Sequence, residues 1–168
     1  MCVEDINMEK PSFKLVLGFA LATIALAGVL LVVGSELPGF RTFDFVLTQG
    51  GVIELYSQYS TIDLQNHRWL TSRIDMVFPF VYGSFFYFAA KRYASAPWVY
   101  LLMFWVVVGI IFDFTENVAQ LNILSGQDDF ALKTVFTRAK FVFLAVPVLY
   151  CSWKFLLDLM PGKKRRRV

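Results

Sequence analysis

The chain has 168 residues, 57% of them hydrophobic, with a mean hydropathy of +0.57 and a net charge of +3. Length fits one domain, and the apolar share exceeds the 45–50% typical of roughly average soluble domains. That composition excludes an ordinary water-soluble fold. Lys163, Lys164, Arg165, Arg166 and Arg167 hold five of the positive charges in one terminal run. Such a run beside a membrane helix marks the cytoplasmic side or touches anionic lipid, so nucleic acid is not the expected partner.

Two cysteines, Cys2 and Cys151, flank and enter different helices and make no disulfide framework. No CxxC or Cys/His cluster exists, and His67 is the single histidine, so neither a metal site nor a cofactor is expected.

In chain order, Met1–Ser12 reads as a short polar tail. Leu15–Val33 is an uncharged run of 19 residues, long enough to cross about 30 Å of hydrocarbon. It continues past Ala22, Ala25 and Ala27, the small residues that would suit a cleavage point, so a retained helix is expected. The connection from Gly34 to Thr71 is too long for a structureless loop. It predicts a short helix or hairpin over the bundle mouth, with Tyr56, Tyr59, His67 and Trp69 at the interface. A second span follows at Ile74–Ala90, kinked by Pro79. A third runs from Trp98 to about Val118, and a fourth from Phe136 to about Leu157, interrupted by Pro147. The expected fold is all-α: a four-transmembrane-helix bundle with helices at about 14–34, 73–91, 97–118 and 135–158. The connection between helices 1 and 2 is partly structured and extracytoplasmic, and a basic tail occupies 161–168. Lys10, Lys14, Lys91, Arg92 and that tail put both termini in the cytoplasm.

The chemistry concentrates at the outer ends of these spans. From Trp98 to Phe112 no residue is charged; Asp113, Glu116 and Asn117 then follow at i, i+3 and i+4, one helical face. Counting depth from the cytoplasmic ends brings Asp75 on the second helix, Asp113 and Glu116 on the third, and Arg138 and Lys140 on the fourth to one layer. Tyr82 lies seven residues after Asp75, two turns deeper on a similar face. Ionisable groups inside a membrane point to a functional site, and a salt-bridged layer that only ties helix ends together is the plainer alternative. The candidate ligand-binding set is Asp75, Tyr82, Asp113, Glu116, Asn117, Arg138 and Lys140. A proton or ion path has little support, because Leu101–Val108 is wholly apolar.

Four spans, a long connection after the first, an acid opening the second and a basic tail resemble the EXPERA superfamily of emopamil-binding sterol isomerases and the sigma-two receptor. The local match is Ile74-Asp75-Met76-Val77-Phe78-Pro79-Phe80. The resemblance implies a lipid-accessible cavity for sterols or amphipathic amines, with Asp75 as an ion-pairing carboxylate. The chain departs from the isomerases in having no histidine in a spanning segment. Asp113–Asn117 looks instead like the Asp-x-x-Glu-Asn signature of uncharacterised bacterial four-span membrane proteins. The functions in view are a binder of a hydrophobic or amphipathic small molecule, a lipid-modifying enzyme using paired carboxylates, and an accessory subunit. Membrane lipids and a hydrophobic small molecule are the expected partners, and a homo-oligomer is compatible with the sequence.

Overall fold

The computed structural model describes residues 9–35, 43 and 45–160, and every regular element among them is helical. The basic tail, Cys2 and the Pro38-Gly39 turn lie outside the described residues. Three helices are long and apolar enough to cross a membrane: α1 (Phe13–Gly34), α5 (Ala96–Ile123) and α6 (Phe130–Leu159). Their outward faces carry Ile24, Val32, Phe104, Ile111, Val142 and Leu149, each more than half exposed. A belt of that extent is intolerable in water and fits an integral membrane protein.

The first connection folds into two short helices, α2 (Gln49–Ser57) and α3 (Thr61–Leu70). Thr48 caps α2 by accepting from the Gly51 amide. At α3, Ser60 and Asp63 form a reciprocal capping box, each side chain accepting from the other's backbone amide at 3.2 and 3.0 Å.

The expected second span is not one long helix. From α3 the chain passes through a π turn at Thr71–Asp75 into α4 (Phe78–Tyr93), which has 16 residues and a length of about 24 Å. Pro79 explains the break. It has no N–H for the carbonyl four residues earlier and its ring crowds that carbonyl, so regular winding stops at Asp75. Pro147, by contrast, sits within the unbroken α6.

Helices α5 and α6 outrun their expected bounds. Their 28 and 30 residues rise about 42 and 45 Å, well beyond the hydrocarbon thickness. The surplus lies at the hairpin end, turned at Gly126 with φ +88°. There Ile123 joins Phe43 and Val52 in a separate apolar core beneath α2. The main core joins α1, α4, α5 and α6 through Val16, Phe85, Phe86, Leu102, Val106 and Phe155. Gly109 lets α5 approach α6: a Cβ there would stand 2.5 Å from Leu144 Cδ2 and 2.7 Å from its Cγ.

Candidate functional site

Along α5 the inward face is Val99, Leu102, Val106 and Gly109, then Asp113, Glu116, Asn117 and Gln120. It changes from apolar to polar without leaving the face, so the carboxylates point into the bundle and not at lipid. On α6 the facing stripe is Lys133, Thr137 and Lys140, spaced i, i+4 and i+7.

Glu116 is fully buried and organises the contact. Its Oε1 accepts from Thr137 Oγ1 at 2.6 Å and lies 3.1 Å from Lys133 Nζ. Its Oε2 faces Lys140 Nζ at 2.5 Å. Lys140 also reaches Asp113 Oδ1 at 2.9 Å, while Tyr82 donates its hydroxyl to Asp113 Oδ2 at 2.7 Å. Lys133 is itself fully buried, donates to the Phe43 carbonyl and lies 5.0 Å over the Phe43 ring. Charges this deep persist only when paired and hydrogen-bonded; all four of these are.

One turn further out the polar face binds backbone and neutral groups. Asn117 Nδ2 donates to the Asp75 carbonyl at 3.3 Å, the acceptor that Pro79 leaves without its helical partner. Gln120 Nε2 reaches Thr71 Oγ1 at 3.0 Å and His67 Nε2 at 3.1 Å. If that amide donates, the imidazole carries its proton on Nδ1. His67 is fully buried, edge-on to the Phe43 and Tyr59 rings. Burial, and then the charge of Lys133, lower its pKa to about 3, so it is neutral at physiological pH.

A cavity of about 420 Å³ opens beside this cluster. Asp75, Asp113, Lys140 and Tyr82 line it, with the Tyr82 hydroxyl held on Asp113. The rest of the lining is almost wholly apolar: Ala27, Leu30 and Leu31 of α1, Phe78 and Phe86 of α4, Leu144 and Val148 of α6, and the stacked pair Phe45 and Phe141. Helices α1 and α6 touch through the Phe13 and Phe155 rings, 6.0 Å apart, and both contribute walls to the cavity.

Of the sequence-predicted residues, Asp75, Tyr82, Asp113 and Lys140 line one cavity and Glu116 lies directly behind them. Asn117 supports the Asp75 backbone. Arg138 is elsewhere: it is exposed, and its Nε donates 2.8 Å to the Leu47 carbonyl, a bond its Nη2 reinforces. Two positions from Lys140 on a helix, it projects to the opposite side, so the two do not share a face. Lys133, Thr137, Gln120, Thr71 and His67 were missed. The spacing Lys133-Thr137-Lys140, and Gln120 at i+7 from Asp113, carried the signal. Placing the helix ends at 118 and 135 cut it off. His67, expected at the interface, is drawn inside by the cap that α2 and α3 form.

Among the described residues no group of three His, Cys, Asp or Glu side chains is placed to hold a metal ion. No protein-family model, curated protein or solved structure matches the chain.

Proposed function

We propose that this chain is a four-span membrane protein that binds an amphipathic ligand, a lipid or sterol-like molecule, near the outer leaflet. In this reading the π turn and α4 together make the fourth crossing, and both termini face the cytoplasm. The observation that carries it is the cavity: largely apolar walls from α1, α4 and α6 with a few ionisable groups, Asp75, Asp113 and Lys140, among them. A mostly apolar lining with a few placed polar groups suits an amphiphile. Five charged side chains make up the cluster: Asp75, Asp113 and Glu116 against Lys133 and Lys140. The likeness of Ile74–Phe80 to the EXPERA pattern points to the same ligand classes.

The test is thermal unfolding and native mass spectrometry of the full chain in detergent, against sterols, phospholipids and long-chain amines. At least one class should raise the melting temperature. Ala27→Phe, which fills the cavity without touching a charge, should abolish that rise. No shift from any class, or a shift that Ala27→Phe leaves intact, sinks the reading.

A second reading is a purely structural layer, favoured by the mutual pairing of Asp113, Glu116, Lys133 and Lys140. It predicts that neutralising these residues lowers stability while no ligand ever raises it.

A further inference from the structure

The opposite end of the bundle carries a second cavity, where the start of α1 meets the ends of α4 and α6. It measures about 470 Å³, far more than a phosphate ion fills. Three cations line it, Lys10, Arg92 and Lys154, against the single carboxylate of Asp158. The net formal charge is therefore +2.

Asp158 is already engaged. Its Oδ2 accepts from Arg92 Nε and Nη2 at 3.1 and 3.0 Å and from the Tyr93 hydroxyl at 3.2 Å. Arg92 Nη1 donates to the Pro11 carbonyl at 3.0 Å. The guanidinium is thus fixed in place, and two of its five N–H groups have no acceptor among the described residues. Lys10 and Lys154 are exposed at the rim, and Leu157 and Met160 supply apolar wall. Trp98, Tyr100 and Trp153, each about 60% exposed, ring this end of α5 and α6. Exposed Trp and Tyr mark the head-group level of a bilayer, so the cavity lies at the depth of phosphates and not in bulk water.

We propose that this inner cavity binds the phosphodiester head group of an anionic phospholipid. Arg92 is the oriented contact, Lys10 and Lys154 are the flanking charges, and Leu157 and Met160 meet the glycerol and upper chains. Basic pockets between helix ends on the cytoplasmic side recognise lipid head groups by this chemistry. The outer cavity plays no part, so the proposal stands or falls separately from the outer ligand.

The test is native mass spectrometry of the full chain in neutral detergent, with phosphatidylglycerol and phosphatidylcholine of identical acyl chains. The wild-type chain should retain phosphatidylglycerol about 10-fold better. Lys10→Gln with Lys154→Gln should remove that preference, and with both residues exposed the melting temperature in neutral detergent should not move. Neutralising Lys163, Lys164, Arg165, Arg166 and Arg167 to Gln should leave most of the preference, and inorganic phosphate at millimolar concentration should not displace the lipid. The proposal is overturned by a preference that is absent or that survives the Lys10/Lys154 change. It is also overturned if the preference disappears only with the tail charges, or if phosphate competes as well as lipid.

Discussion

Lys133 Nζ lies 3.1 Å from Glu116 Oε1, and neither side chain touches solvent. The pair locks α6 to α5 about one helical turn outside the Asp113–Lys140 contact. Breaking a buried ion pair strands a charge, which costs about 3–5 kcal/mol, while replacing both partners by apolar groups can be nearly neutral. Glu116→Gln and Lys133→Met should each destabilise by about that amount. Glu116→Gln combined with Lys133→Met should cost far less than the sum. Reversible unfolding in mixed micelles, read as a double-mutant cycle, measures the coupling.

Asn117 and Pro79 should be coupled in the same way, through a carbonyl neither owns. Asn117→Ala removes this donor from the buried Asp75 carbonyl, at about 1–3 kcal/mol. Pro79→Ala restores an N–H four residues after Asp75, so in that background the loss of Asn117 should cost much less. Equal penalties in both backgrounds would mean Pro79 has nothing to do with the Asn117 contact.

Close approach at Gly109 predicts a steric penalty with a specific remedy. Gly109→Ala drives a Cβ against Leu144, and overpacking of this kind costs about 1–3 kcal/mol. Leu144→Ala removes the obstacle, so the double variant should regain much of the helix contact. Melting temperatures of the three variants decide it.

His67 gives a pH dependence with a defined sign. Its pKa falls from 6.5 in the unfolded chain to about 3 in the folded one, so below pH 6.5 the unfolded state binds the extra proton. Stability is full above pH 6.5 and declines as pH falls, by about 1.4 kcal/mol per pH unit. As the single histidine in the chain, it dominates that window. Between pH 7.5 and 5 the wild-type chain should lose about 2 kcal/mol more than His67→Asn. Unfolding curves at the two pH values test this, and parallel losses would show the ring accessible to protons.

Arg138 and Lys140 should part company despite their nearness in sequence. Arg138→Gln removes only an exposed tie to Leu47, so stability should change by less than about 1 kcal/mol. Ligand-induced shifts should be untouched. Lys140→Gln takes one cation from both Asp113 and Glu116 and should alter ligand response and stability together.

By itself the sequence determined that the chain is helical, that Phe13–Gly34, Ala96–Ile123 and Phe130–Leu159 each contain enough apolar length to cross a membrane, and that Asp113, Glu116 and Asn117 share a face. Those are local properties, set by hydropathy over a window and by 3.6-residue periodicity. Tertiary structure decided the rest: that Lys133 pairs with Glu116 while Arg138 turns to Leu47, that the chain passes through a π turn before α4, that His67 is buried, and that α1, α4 and α6 line a cavity. A sequence window reports which residues share a face of one helix. It is silent on which neighbour that face meets and on how far the helix continues past the hydrocarbon before its partners end it. Asp113 is legible from its own helix, whereas its partners Tyr82 and Lys140 are chosen by how α4 and α6 pack around it.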